Sequence, residues 1–240
     1  MIVVVPVEPP EAVSMLQSLV DAGLLSRTER STLYRAAVAD VARAVDSSGG
    51  DLLVMYRDDE RADRDQRTVY RELLDANGID PDDVRFERQV GSNPSARIGN
   101  AITHLLERED EGSAGVLFPT APQVRRTEID GAAMVLRRNE VAVGPSDGST
   151  VYFAGFSEPI DFEGVFAADQ LPTVAARAAS AGYSVGFVPT VPRLDTTVGL
   201  TATIATIEAR RSADRPVPVA TAERIDEFGL TVEDGSLRRT

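Results

Sequence analysis

The stretch SRTERSTLYRAAVADVARAVDSSGGDLLVMY, residues 26–56, contains a helix, its stop and a strand in one reading. Ser26 followed three residues later by Glu29 is a capping-box pattern, and Leu33, Ala36, Ala37, Val41, Ala44 and Val45 then recur at helical spacing. Gly49-Gly50 ends the helix, and Asp51–Tyr56 (DLLVMY) reads as a strand. Upstream, Ile2–Pro6 is a β-branched run closed by prolines, the mark of a buried parallel strand. Strand, helix and strand in this order predict a βαβ unit.

The alternation continues along the chain. The segment from Pro9 to Leu24 is weakly helical, and the charged stretch Arg57–Arg67 leads into a helix reaching about Ala76, with Asn77-Gly78 as its stop. Val84–Val90, Gly115–Phe118 and Ser184–Val188 read as strands, and Glu140–Gly144 and Val151–Phe156 as two more around the turn Pro145–Ser149. Ser95–Glu109, Thr127–Arg138, Gln170–Ala181 and Thr197–Arg211 read as helices. The expected fold is therefore α/β, a three-layer αβα arrangement on a mainly parallel sheet. Residues 1–212 are expected to form a single domain and 213–240 a C-terminal extension packed on it or trailing from it. Within that extension Glu223–Phe228 reads as a short helix, and the last residues are expected to fray.

Composition removes many chemistries. There is no Cys, so disulfides, thiolate nucleophiles and sulfur ligands are excluded. All 25 basic residues are Arg, which excludes a Schiff-base lysine and a P-loop lysine. A single His, His104, cannot make a His-His metal site within one chain; inside an otherwise apolar helix it reads as a core or boundary residue. The formal net charge of −13 disfavours nucleic acid and anionic membranes as partners. Acidic composition without lysine is expected of a protein working in multimolar salt, where screening over roughly 3 Å weakens self-repulsion. MIVVVPVEPP lacks the basic start of a signal peptide, and no apolar run approaches membrane-span length, so a cytoplasmic protein is expected.

Ligands of open α/β sheets bind beyond the carboxyl ends of the strands, which directs attention to four loops: 6–10, 91–100, 119–122 and 145–152. In Gln89–Asn100, small residues and a helix start surround Arg97, which could clamp a phosphate or lie solvated in the first turn behind an Asn93 or Ser95 cap. Asp147-Gly148 is first a turn signal, with Asp147 a candidate metal carboxylate. Asp195 could ligate a metal or cap the last helix. Asp58-Asp59-Glu60 reads as a solvated acidic loop.

Leu33–Val41, Gln89…Arg97-Ile-Gly99-Asn100-Ala101, Gly115–Pro122, Asn139–Ser149…Tyr152–Gly155 and Val188-Pro189…Leu194-Asp195-Thr196 occur in an order that resembles the DUF2064 family of glycosyltransferase-like proteins, in a halophilic archaeal form. That family is similar in fold to 2-phospho-L-lactate guanylyltransferase and the GT-A nucleotide-diphospho-sugar transferases. The resemblance covers about residues 1–212 and is weak at both ends. It implies a nucleotide or nucleotide-sugar ligand held by Pro6, Arg97, Gly99, Asn100, Thr120, Gly148 and Ser149. It also implies Mg²⁺ or Mn²⁺ at Asp147 and Asp195, and no organic cofactor. An active protein of this kind would be a metal-dependent nucleotidyltransferase or glycosyltransferase. The chain departs from the pattern at two loops. The loop after the first strand, Val5–Pro10, carries Glu8 and no basic residue, and Thr120 stands where a carboxylate is expected. These departures imply an alternative, a catalytically inactive relative that binds or regulates.

Overall fold

The computed structural model describes residues 1–58 and 64–239. In chain order it contains β1 (Ile2–Val7), α1 (Gln17–Asp21), α2 (Arg27–Asp46), β2 (Asp51–Tyr56), α3 (Gln66–Ala76), β3 (Arg85–Arg88), α4 (Pro94–Glu107), β4 (Ala114–Leu117), α5 (Arg126–Leu136), β5 (Val141–Pro145), β6 (Val151–Phe156), α6 (Gln170–Ser180), β7 (Val185–Phe187), α7 (Thr197–Ser212), α8 (Val219–Glu227), β8 (Leu230–Glu233) and β9 (Ser236–Arg239). The main sheet runs β3-β2-β1-β4-β6-β5-β7. Only the β4–β6 and β5–β6 ladders are antiparallel, so the sheet is mostly parallel with β6 reversed.

β1 is buried along its whole length, and its alternation assigns the two faces. Val3, Val5 and Val7 join a core with residues of α2, α5, α7 and α8, such as Leu33, Val41, Ile129, Ile204 and Ile225. Ile2 and Val4 join the opposite core with Ile98, Ile102, Val174 and Ala178 of α4 and α6. A β-branched strand covered on both faces is what a central parallel strand requires. The α2 start carries the full capping box: Glu29 N–H donates to Ser26 Oγ, and Ser26 N–H to Glu29 Oε2.

Two expectations change. The weakly helical segment after Pro9 is a 3-10 turn at Pro10–Ala12 followed by the five-residue α1. The segment expected to fray is paired through residue 239: β8 and β9 form a hairpin, and Arg239 forms an ion pair with Glu29 of α2. Ala222, Ile225, Phe228 and Leu230 lie in the α2-side core, and Asp40 of α2 accepts the Ala220 and Thr221 N–H groups at the start of α8. Sequence periodicity is too short over 219–239 to reveal a hairpin held by a partner about 210 residues away.

Candidate functional site

The chain passes from β1 outward to β2 and β3, then returns to β4 on the other side of β1. That reversal makes the β1/β4 boundary the topological switch point, where loops separate and leave a crevice. The β1–β4 ladder ends at Val4–Val116, and Pro6, which has no N–H to give, lies beyond it. A cavity of about 170 Å³ opens there, lined by Pro6, Glu8, Gln89, Arg97, Phe118 and Arg193 among others.

Arg193 organises this region, and it is only 5% exposed. Its Nε donates to Asp195 Oδ1 at 3.1 Å and Thr120 Oγ1 at 3.2 Å, and Nη2 pairs with Asp195 Oδ2. Nη1 donates to the Val151 carbonyl at 2.9 Å and to Gln170 Oε1 at 3.4 Å. The guanidinium carbon lies 4.3 Å from the Phe118 ring centroid, a cation–π placement. Asp147 joins from the β5–β6 turn, accepting the Arg193 backbone N–H at 3.3 Å. Burial raises the Asp147 carboxyl above its ordinary range; the Arg193 N–H opposes this and the nearby Asp195 charge adds to it. The packing here allows no side chain at Gly199, where a Cβ would stand 1.8 Å from the Arg193 carbonyl oxygen and 2.2 Å from Asp147 Oδ2. The sequence reading passed over Arg193. Its one signal was a lone arginine in an otherwise uncharged run, Val188-Pro-Thr-Val-Pro-Arg-Leu194.

The loop after β1 is tied down. Glu8 accepts Ser14 N–H at 2.6 Å and Ser14 Oγ at 3.0 Å, and lies 3.7 Å from Arg57. Its backbone N–H donates to Tyr34 Oη at 2.9 Å, and its carbonyl accepts from Tyr70 Oη. Both phenols are fully buried, and burial raises their ionisation far above the ordinary range. The Glu8 N–H, which a phosphate-gripping loop would present to a ligand, is already committed.

The other expected residues fall in distinct places. Asn93 is the α4 cap, accepting from Ala96 N–H. Arg97 is half-buried in the cavity wall, with Nε donating to the Gly91 carbonyl at 3.1 Å. Burial and nearby Arg57 lower its ionisation range, and among the described residues it has no ion pair. Asn100 donates to the Val90 carbonyl and, with Arg97, lines a neighbouring cavity of about 350 Å³. Gly99 meets Phe162: a Cβ would stand 2.6 Å from it, so close helix packing accounts for this glycine. Gly148 turns the chain at φ +61, and Ser149 Oγ donates to Asp169 at 3.0 Å. Thr196 caps α7, so Asp195 is free of that duty. His104 is exposed and 3.1 Å from Glu109, a correction to its reading as a core or boundary residue. Asp58 pairs with Arg88, whereas Asp59 and Glu60 lie outside the described residues.

Asp147 and Asp195 are thus brought together on Arg193, Asp147 at its backbone N–H and Asp195 at its guanidinium. Among the described residues no group of three His, Asp or Glu side chains forms a cage. Both Asp195 oxygens are engaged by Arg193, so a divalent ion there would have to displace the guanidinium.

A reversed β6 in a seven-stranded, otherwise parallel sheet, with the crevice at the β1/β4 reversal, defines a nucleotide-diphospho-sugar transferase fold. The chain is similar to a protein from Desulfovibrio desulfuricans G20 described as a candidate nucleotide-diphospho-sugar transferase, with 19% identity, 94% of each chain covered and a TM-score of 0.76. It is less similar to a cytidylyltransferase from Leptospira borgpetersenii serovar Hardjo-bovis, with 10% identity, 94% of this chain and 93% of that one covered and a TM-score of 0.51. No family model matches the chain. No curated protein matches it either. What is shared at these identities is the fold. No helix among the described residues is long and apolar enough to cross a membrane.

Proposed function

We propose that the chain is a nucleotide- or nucleotide-sugar-binding relative of these transferases, catalytically inactive, that meets its ligand's phosphates with arginine instead of a metal. The carrying observation is the Arg193 guanidinium, buried between Thr120 and Asp195 and lining the cavity at the switch point. Arg97 supplies a second cation in the same wall. Arg193 is matched by Asp195, whereas Arg97 has no ion pair among the described residues and suits a phosphate, and the Phe118 and Phe166 rings offer an apolar surface to the rest of the ligand. Phosphoryl or glycosyl transfer needs preorganised charge aimed at the leaving group. A guanidinium already neutralised by Asp195 has little charge to offer it. The reading is in keeping with the resemblance to the DUF2064 proteins and with a high-salt, cytoplasmic setting.

A second reading, an active transferase using Mg²⁺ or Mn²⁺ at Asp147 and Asp195, is supported by the mutual charge of those two carboxylates, which a divalent ion between them would relieve. A panel of nucleotides and nucleotide sugars in high salt, with and without Mn²⁺, separates the two. Thermal stabilisation that is independent of metal, without turnover, is expected. Metal-dependent stabilisation or product formation would overturn the first reading in favour of the second.

A further inference from the structure

A separate groove of about 400 Å³ lies between α2, the start of α5, the end of α7 and the 216–219 linker into α8. We propose that it is a second anion site, taking a phosphorylated small molecule with an apolar flank. Four of the chain's 25 arginines line it, Arg43, Arg125, Arg126 and Arg210, in a protein of net charge −13. Among the described residues Asp40 is the only carboxylate in its wall, and both Asp40 oxygens are taken by the Ala220 and Thr221 N–H groups. Glu128 is occupied by Arg125, and Asp130 by Arg126.

Arg43 and Arg210 form no ion pair among the described residues, Arg43 donating to the Asn77 carbonyl; of the two, Arg210 faces Arg125. Arg210 is half-buried and donates to the neutral Gln123 Oε1 at 2.7 Å. Gln123 is itself held by the Thr203 carbonyl, so Arg210 is anchored at the groove's edge without being neutralised. Burial and the facing Arg125 act against its charge, Glu128 partly offsets them, and a bound anion would relieve both. The remaining wall, with Pro122, Val124, Val217 and Val219, is apolar and suits a carbon skeleton attached to the phosphate. No nucleotide-cleft residue takes part, so the groove stands or falls independently of the function proposed above.

The test is calorimetric titration of the full chain with phenyl phosphate and inorganic phosphate against sodium chloride of matched ionic strength. Measured in the Arg97→Gln background, which removes the cleft's unpaired cation, binding of phenyl phosphate is expected to persist, to weaken at least threefold when Arg210→Gln is added, and to recover with Arg210→Lys in its place. Should Arg210→Gln fail to fold, the exposed Arg126→Gln is read the same way. Heat no greater than that of the salt control, binding lost in Arg97→Gln itself, or a change below threefold on adding Arg210→Gln would overturn the site. Equal affinity for phenyl and inorganic phosphate would overturn the apolar flank.

Discussion

Arg193 and Asp195 are two residues apart, and the guanidinium fork closes on the carboxylate, Nε to Oδ1 at 3.1 Å and Nη2 to Oδ2. Their side chains are 6% and 17% exposed, so neither charge is well solvated without the other. A pair this buried adds little over an apolar pair, but breaking it by removing one partner costs about 3–5 kcal/mol.

Arg193→Met keeps part of the stem against Phe118 while removing the charge. Stability in urea is expected to fall by up to about 3–5 kcal/mol. The freed Asp195, with Asp147 beside it, is expected to acquire Mn²⁺ affinity on the order of 0.1–1 mM, the range of weakly charged oxygen sites. Electron paramagnetic resonance of free Mn²⁺ reads this directly, and a variant as metal-blind as the parent would remove Arg193 from the role assigned to it.

Thr120→Asp alone is expected to leave the protein without metal, because the new carboxylate adds to the guanidinium 3.2 Å from the Thr120 hydroxyl. In the Arg193→Met background the same change supplies a third carboxylate. Mn²⁺ should then bind at least tenfold more tightly than in Arg193→Met, as each added anionic ligand favours a hard cation. Tight binding by Thr120→Asp with Arg193 in place would contradict the account.

Tyr34→Phe removes the acceptor for the Glu8 N–H and leaves that group buried without its partner. A loss of about 1–3 kcal/mol is expected by chemical denaturation. Amide exchange at Glu8 should accelerate more than at its neighbours; uniform protection would mean that another group satisfies it.

Gly99→Ala places a methyl 2.6 Å from the Phe162 Cβ, and overpacking of about 1–3 kcal/mol should follow. The expected signature is lost stability with nucleotide affinity changed less than twofold. The reverse pattern would return Gly99 to the ligand site.

Glu29 gives a pH prediction. Hydrogen bonding from Arg239 holds its carboxyl at about 2, against an ordinary 4.5, although partial burial opposes the shift. The folded value is depressed, so the stabilisation is present above about 4.5 and is lost as pH falls toward 2. Exchange of the β8–β9 amides should therefore speed up through that window, and Glu29→Gln should abolish the dependence. Salt will mute the effect, since Arg239 is partly exposed.

Much of the scaffold was legible because it depends on local rules. The capping box at Ser26 and Glu29, the Gly49-Gly50 stop and the fully apolar β1 are satisfied within a few residues, and the structure places them where those rules direct. Element edges moved by a residue or two, as at β3, which is Arg85–Arg88 where Val84–Val90 was expected. In the candidate site, legibility was partial. Asp147 and Asp195 were singled out and do converge, but as carboxylates facing an arginine that the sequence did not flag. Gly99 was read for a ligand because a glycine near a helix start looks the same whether a phosphate or a Phe162 ring comes close.

The sequence by itself determined the layered α/β fold and the chemistries it excludes, since periodicity, capping and composition are properties of neighbouring residues or of none. Only the tertiary structure decided that a guanidinium stands between Thr120 and Asp195, and that the chain end closes on α2 through Arg239 and Glu29. Thr120 and Arg193 are 73 positions apart, and Glu29 and Arg239 are 210 apart. Their geometry is set by how the strands order themselves and the helices pack, and a charged side chain carries no local mark of which distant partner will neutralise it.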